Sequence, residues 1–221
     1  MKGIFITGTD TGVGKTVVSA AVFHRYRKAQ PVRYWKPVQT GIEADDDTAT
    51  VRALAECSDS EIFDRGVRLP QPVSPHLAAR LAGKTIRLDE VVGLIPPESE
   101  SVNWIVEGAG GVLVPINENQ LMIDLIEKLR LPAVIVARSS LGTINHTLLS
   151  LEALRRRSLP IAGVVMVGEP NNANRDAIER FGDVTVIAEI PLLSDLTASS
   201  IGCWARFEFD KQGLLTEFLG G

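Results

Sequence analysis

The chain has 221 residues, 45% of them hydrophobic and 23% charged, and a formal net charge of −4. That balance suits a globular protein with room for a substantial core, and it lacks the broad basic field that draws in nucleic acid. No apolar run reaches the roughly 20 residues needed to span a bilayer, and Cys57 and Cys203 stand too far apart for a metal motif or a disulfide framework. The first residues run straight into an apolar strand with no signal peptide before it, so the expectation is a cytoplasmic enzyme that partners neither membrane nor nucleic acid.

Gly3 to Thr7 reads as a buried strand, and Lys15 to Lys28 as a helix. Between them lies Gly8-Thr9-Asp10-Thr11-Gly12-Val13-Gly14-Lys15-Thr16. A strand, a Gly-rich turn ending in Gly-Lys-Thr, and a helix form the setting of a phosphate-binding loop. Glycines let backbone N–H groups converge on an anion, and the helix points its positive end there. Lys15 supplies a charge for the β- and γ-phosphates, and the Thr16 hydroxyl is placed to ligate Mg²⁺. The spacing departs from the usual form, which wants glycine where Thr9 stands.

A second strand, Val32 to Lys36, ends in Lys36-Pro37-Val38-Gln39-Thr40-Gly41. Ligands in open parallel sheets sit beyond the carboxyl ends of strands, which puts Lys36 at the level of the phosphate loop. Asp45, Asp46 and Asp47 precede a helix, Thr48 to Glu56; one can cap it and one can approach Mg²⁺, and the sequence leaves open which. Short helices are expected at Leu77–Leu81 and Leu88–Ile95. His76 suits a helix start as well as a ligand contact. Val102 to Val106 is a buried strand that delivers Glu107 to its end, where P-loop enzymes keep a Mg²⁺-associated acid. Gly108, Ala109, Gly110 and Gly111 follow.

A helix from Leu121 to Leu129 and a strand from Ala133 to Ala137 come next. Leu141-Gly142-Thr143-Ile144-Asn145-His146 then opens a helix running to about Arg157, whose start offers N–H groups to an anion. The strand Ile161–Val167, the helix Ala173–Phe181 and the strand Val184–Glu189 complete the alternation. The tail from Cys203 to Leu219, with Trp204, Phe207, Phe209 and Phe218, is expected to pack on the body. Alternating strands and helices predict one α/β domain over 1–221: a doubly wound, mostly parallel sheet with helices on both faces, of P-loop NTPase type.

Taken together, the phosphate loop, Lys36 to Gly41, Ser74-Pro75-His76, Val106 to Gly111, Leu141 to His146 and Glu189-Ile190-Pro191 resemble the dethiobiotin synthetases over nearly the whole chain. The odd loop spacing is that family's own form. The resemblance implies a ligase of biotin biosynthesis that uses 7,8-diaminononanoate, CO₂ and ATP with Mg²⁺, in a homodimer with sites at the interface. One amine takes up CO₂ as a carbamate, the carbamate attacks the γ-phosphate, and the second amine closes the ring through a carbamic-phosphoric anhydride.

The resemblance also implies residue roles. Thr11, Lys15 and Lys36 would serve catalysis, and Gly12, Val13, Gly14, Lys15, Thr16 and Val17 would cradle the nucleotide. Asp47, Glu107, Gly108, Ala109 and Gly110 would flank it, with Thr16, Asp47 and Glu107 on Mg²⁺. Asp47 is preferred among the three aspartates because it directly precedes the helix. Thr11, Lys36, Thr40 and Pro75 would meet the diamine or its carbamate, and Leu141, Gly142, Thr143, Ile144 and Asn145 its distant carboxylate. The family's adenine-reading asparagine aligns with Val167 here. That leaves the base to backbone near Val167, Gly168, Pro191, Leu192 and Leu193, with weak discrimination expected.

Three rivals fit less well. Partitioning ATPases carry a second lysine five residues before the main one, where Asp10 stands. Dinucleotide oxidoreductases need G-x-G-x-x-G. A cobyrinate-type amidotransferase needs a glutaminase domain for which the chain has no room.

Overall fold

The computed structural model describes residues 1–220. Seven strands form one sheet, all paired in parallel: β1 (Lys2–Gly8), β2 (Val32–Trp35), β4 (Ile62–Phe63), β6 (Asn103–Gly111), β7 (Ala133–Arg138), β8 (Ile161–Val167) and β9 (Val186–Ile190), in the order β4-β2-β6-β1-β7-β8-β9. A separate parallel pair, β3 (Val38–Thr40) and β5 (Val67–Leu69), lies outside it. The helices are α1 (Lys15–Tyr26), α2 (Asp47–Ala55), α3 (Pro75–Leu81), α4 (Leu88–Val92), α5 (Met122–Leu129), α6 (Thr143–Arg156), α7 (Asn172–Gly182), α8 (Ala198–Glu208) and α9 (Thr216–Leu219). None is long and apolar enough to cross a membrane.

The pleat divides the core in two. Ile4, Ile6, Tyr34, Ile105, Val134 and Val136 face one side, with Val18, Val22 and Ile201 of α1 and α8. The residues between them, Phe5, Trp35, Trp104, Val106 and Ile135, face the other, with Leu125 and Ile126 of α5. A strand buried on both faces has no polar register, which is why these stretches read as unbroken apolar runs. Trp35, Phe63 and Trp104 meet edge to face, with centroids 5.4–6.3 Å apart.

The expected doubly wound sheet is present, with four local corrections. The second strand ends at Trp35 and not at Lys36. Pro37 has no N–H to continue the ladder; its carbonyl instead accepts from Val67 N–H at 2.9 Å, and Val38–Thr40 starts the small second sheet. That pair and the short β4 carry no sequence alternation and were not foreseen. The helix from Leu88 closes at Val92, where Gly93 N–H bonds back to Asp89 O at 2.9 Å. In the tail, Phe209 and Leu219 are buried and Trp204 meets Phe209 edge on at 6.1 Å, whereas Phe207 is 65% exposed on the outer side of α8. Asp210, wholly buried, ties the tail down: it accepts from the backbone N–H groups of Leu214 and Leu215 at 2.7 and 2.8 Å and from the Tyr26 hydroxyl.

Candidate functional site

Strand β1 ends between β6 and β7, where the chain's path across the sheet changes direction. A crevice beyond the carboxyl ends forms at such a point. The turn from Gly8 fills its floor and enters α1 through Gly14, whose φ of 96° is the left-handed region. That conformation favours glycine, and a Cβ there would also crowd the Val167 side chain at 3.1 Å. No side chain caps α1, which leaves its first N–H groups for an anion. Arg138, at the end of β7, steadies the loop: it donates to Thr11 O at 3.1 Å and pairs with Asp10 at 3.4 Å.

Four elements bring charge to one place. The Lys36 ammonium, buried just past β2, lies 2.5 Å from Asp47 Oδ2 and 2.8 Å from Glu107 Oε1, and it donates to Gly108 O at 3.2 Å. Burial pulls its pKa down, but Glu107 and Asp47 outweigh that and hold it above the usual lysine value. Burial likewise raises Asp47, and Lys36 with Thr16 more than reverses it, so the carboxyl stays below its usual range. The Thr16 hydroxyl lies 2.6 Å from Asp47 Oδ1 and 3.2 Å from Glu107 Oε1. Lys15 donates to Asp10 O at 3.2 Å; burial, then the like charge of Lys36, lowers its pKa.

A cavity of about 610 Å³ opens over this cluster. Of the predicted site residues it is lined by Thr11, Gly12, Gly14, Lys15, Thr16, Val17, Lys36, Thr40, Asp47, Pro75, Glu107, Ala109 and Gly110. Val13 is buried beneath the loop, and Gly108 contributes its carbonyl to Lys36 from below. The three aspartates take different partners, although Asp45 lines the cavity together with Asp47. Asp46 caps α2 by accepting from Ala49 N–H at 3.1 Å, Asp45 offers its carbonyl to Gln39, and Asp47, already the first residue of the helix, turns to Lys36.

The other predicted residues stand elsewhere. Val167 packs behind Gly14, and Gly168 N–H bonds Ile190 O at 2.9 Å, which places both on the loop's far side with Pro191, Leu192 and Leu193. Leu141, Gly142, Thr143, Ile144 and Asn145 do not line the cavity of their own chain, because β7 and α6 lie across β1 from β6 and β2. Leu141 is fully exposed and the Thr143 hydroxyl is buried without a partner. His76 is half-buried against Ser74, 3.0 Å from its hydroxyl, and stays out of the cavity.

Three supporting residues escaped the sequence reading. Gln39, buried, donates to Asp45 O at 3.1 Å and Asp46 Oδ1 at 3.2 Å and so fixes the loop that aims Asp47. Ser19 and Tyr34 donate to Glu107 Oε2 at 2.7 and 3.1 Å. Their spacing carried a signal: Ser19 is one helical turn beyond Lys15 and Thr16, and Tyr34 lies two residues before Lys36, the interval that returns an extended chain to the same side.

All the oxygen donors here are hard, as Mg²⁺ prefers. Among the described residues no cluster of three or more His, Cys, Asp or Glu would hold a metal alone. Thr16, Asp47 and Glu107 fit the other Mg²⁺ arrangement, one or two carboxylates completed by substrate phosphates.

A family model described as an AAA domain matches residues 2–200. The chain is 53% identical over 201 residues to the ATP-dependent dethiobiotin synthetase BioD of Paramagnetospirillum magneticum, covering 91% of this chain and 93% of that protein. It is 46% identical over 198 residues to the protein of the same name from Brucella ovis, covering 90% of each. Among solved structures it is similar to the MinC:MinD cell division complex of Aquifex aeolicus, with a TM-score of 0.57 and 13% identity over 93% of this chain and 86% of that one. The septum site-determining protein MinD of Pyrococcus horikoshii, complexed with Mg-ADP, gives 0.56 and 16% over 93% and 95%. At such identities these last two speak for the fold alone.

Proposed function

The chain belongs to the AAA-domain family and to the ATP-dependent dethiobiotin synthetases, and from that premise we propose that it is a ligase of biotin biosynthesis closing the ureido ring of dethiobiotin from 7,8-diaminononanoate, CO₂ and ATP. One observation carries the reading: Lys15, Lys36, Thr16, Asp47 and Glu107 converge on a cavity floored by an uncapped helix start.

Phosphoryl transfer needs positioning and charge neutralisation more than covalent help. The backbone from Gly12 to Thr16 binds the β- and γ-phosphates, with Val17 beside them and Lys15 neutralising charge. Lys36 faces the carbamate oxygen as it attacks the γ-phosphate, while Thr11, Thr40 and Pro75 orient the diamine end. Thr16, Asp47 and Glu107 would hold Mg²⁺, which would supply further charge neutralisation when bound. Ala109 and Gly110 bring backbone close to the nucleotide, and Val167, Gly168 and Pro191 to Leu193 form the base end.

The loop from Leu141 to Asn145 takes the distant carboxylate of a diamine bound mainly by a second copy. Its absence from its own chain's cavity and the full exposure of Leu141 support a homodimer of that kind.

The test is an assay with diaminononanoate, bicarbonate, Mg²⁺ and ATP. Phosphate release should depend strictly on the diamine and match dethiobiotin formed. Phosphate released at full rate without the diamine would point to a plain ATPase.

A further inference from the structure

We infer that Tyr34 is a positioning residue for Glu107: with Ser19, its hydroxyl holds Oε2 of that carboxylate inward, so that Oε1 is the oxygen presented to the cavity. The inference rests on the reading of Glu107 as part of the nucleotide and metal site.

Glu107 is wholly buried, so each of its oxygens must find donors within the protein. They divide without overlap. Oε1 faces the Lys36 ammonium at 2.8 Å and the Thr16 hydroxyl at 3.2 Å, both of which line the cavity. Oε2 faces the hydroxyls of Ser19 at 2.7 Å and Tyr34 at 3.1 Å, neither of which does. The two inner donors come from different elements, α1 and β2, so the arrangement exists only once helix, sheet and strand register are all in place.

Packing explains the Tyr34 ring but not its oxygen. The pairing of Tyr34 with Ile105 puts the ring among apolar residues beneath α1, which phenylalanine would fill as well. Among the described residues the hydroxyl makes one hydrogen bond, to Glu107. Ser19 is a weaker anchor alone, because its hydroxyl oxygen also lies 3.0 Å from Lys15 O, which competes for its single proton. Without the tyrosine proton the carboxylate gains freedom to turn and to share its negative charge differently between the two oxygens. Partners that orient a metal ligand from behind are typically worth about 10–100-fold in metal affinity.

The test uses the full chain with ADP and Mn²⁺, read by electron paramagnetic resonance, in the wild type, Tyr34→Phe and Glu107→Gln. Tyr34→Phe should weaken Mn²⁺ binding about tenfold, at the low end of that range. ADP binding without metal should stay near wild type, which a general loosening of the core would not allow, while the loss of one donor to a buried carboxylate lowers the unfolding temperature by a few degrees. Mn²⁺ affinity within twofold of wild type in Tyr34→Phe, with Glu107→Gln impaired, would overturn the inference alone. Unchanged binding in Glu107→Gln would instead remove the reading beneath it, and the inference with it. Should Tyr34→Phe fail to fold, Ser19→Ala decides: unchanged Mn²⁺ affinity there refutes the division of the two oxygens.

Discussion

Removing Lys36 is the most informative single change. Its ammonium is 3% exposed and bridges Asp47 and Glu107 at 2.5 and 2.8 Å. Lys36→Ala leaves two carboxylates facing each other with no cation between them. Breaking one partner out of a buried pair costs about 3–5 kcal/mol; Asp47 opens on the cavity, with 22% of its side chain exposed, so the lower end applies. For a chain of this size that lowers the unfolding temperature by about 6–12 °C and leaves folded protein at 25 °C. The catalytic loss should be of comparable size in free energy, about 10²–10³ in rate, because a preorganised charge at a transition state is worth that much.

The pH dependence adds an internal check. In the wild type Asp47 is held below its unfolded value, so its contribution to stability is present above about pH 4 and is lost as pH falls through the lower folded value. In Lys36→Ala the main lowering influence is gone and burial raises Asp47, so acid now relieves the variant. The gap in unfolding temperature between the two proteins should therefore be wide at pH 7 and narrower near pH 4. Calorimetry at both pH values and a diamine-dependent phosphate-release assay measure both quantities. Turnover above about a tenth of normal, or a gap that widens in acid, refutes the charge argument.

Three further outcomes are expected. Glu107→Gln should shift the Mg²⁺ titration of turnover to higher concentration, and an unmoved titration would take Glu107 out of the metal site. On the proposed reading, in which Val167 stands where the family's asparagine would read adenine, turnover with GTP and CTP should approach that with ATP, and a preference for ATP of several hundred-fold would contradict the backbone reading of the base. A thiol reagent should label one cysteine of the native protein, exposed Cys203, and reach Cys57 only on unfolding, because burial, with Glu61 nearby, pushes that thiol up to about 12. Rapid labelling of both would argue that the packing of Cys57 beside α2 is looser than described.

Several features of this protein are written locally. Ile4 to Thr7, the glycines at 12 and 14, and Lys15-Thr16 dictate strand, turn and helix from neighbour to neighbour, so the phosphate loop was legible as it stands. The alternation that yields a parallel sheet was legible too, and so was Glu107 as the acid closing an apolar run, although β6 does not end there and runs on to Gly111. What the sequence left open depended on contacts between distant residues. Three adjacent aspartates have the same chemistry, and only the cap at Ala49 N–H and the position of Lys36 separated the roles of Asp46 and Asp47. Tyr34 and Ser19 are spaced to share a side with Lys36 and Lys15, but spacing alone does not show a hydrogen bond to a residue 73 or 88 positions away. Leu141 to Asn145 announced a helix start, yet the strand order carried it to the far side of β1 from its own chain's cavity. Backbone conformation follows from short-range sterics and propensity, which a sequence displays; the convergence of charges follows from strand order and register, which arise only when the whole sheet closes.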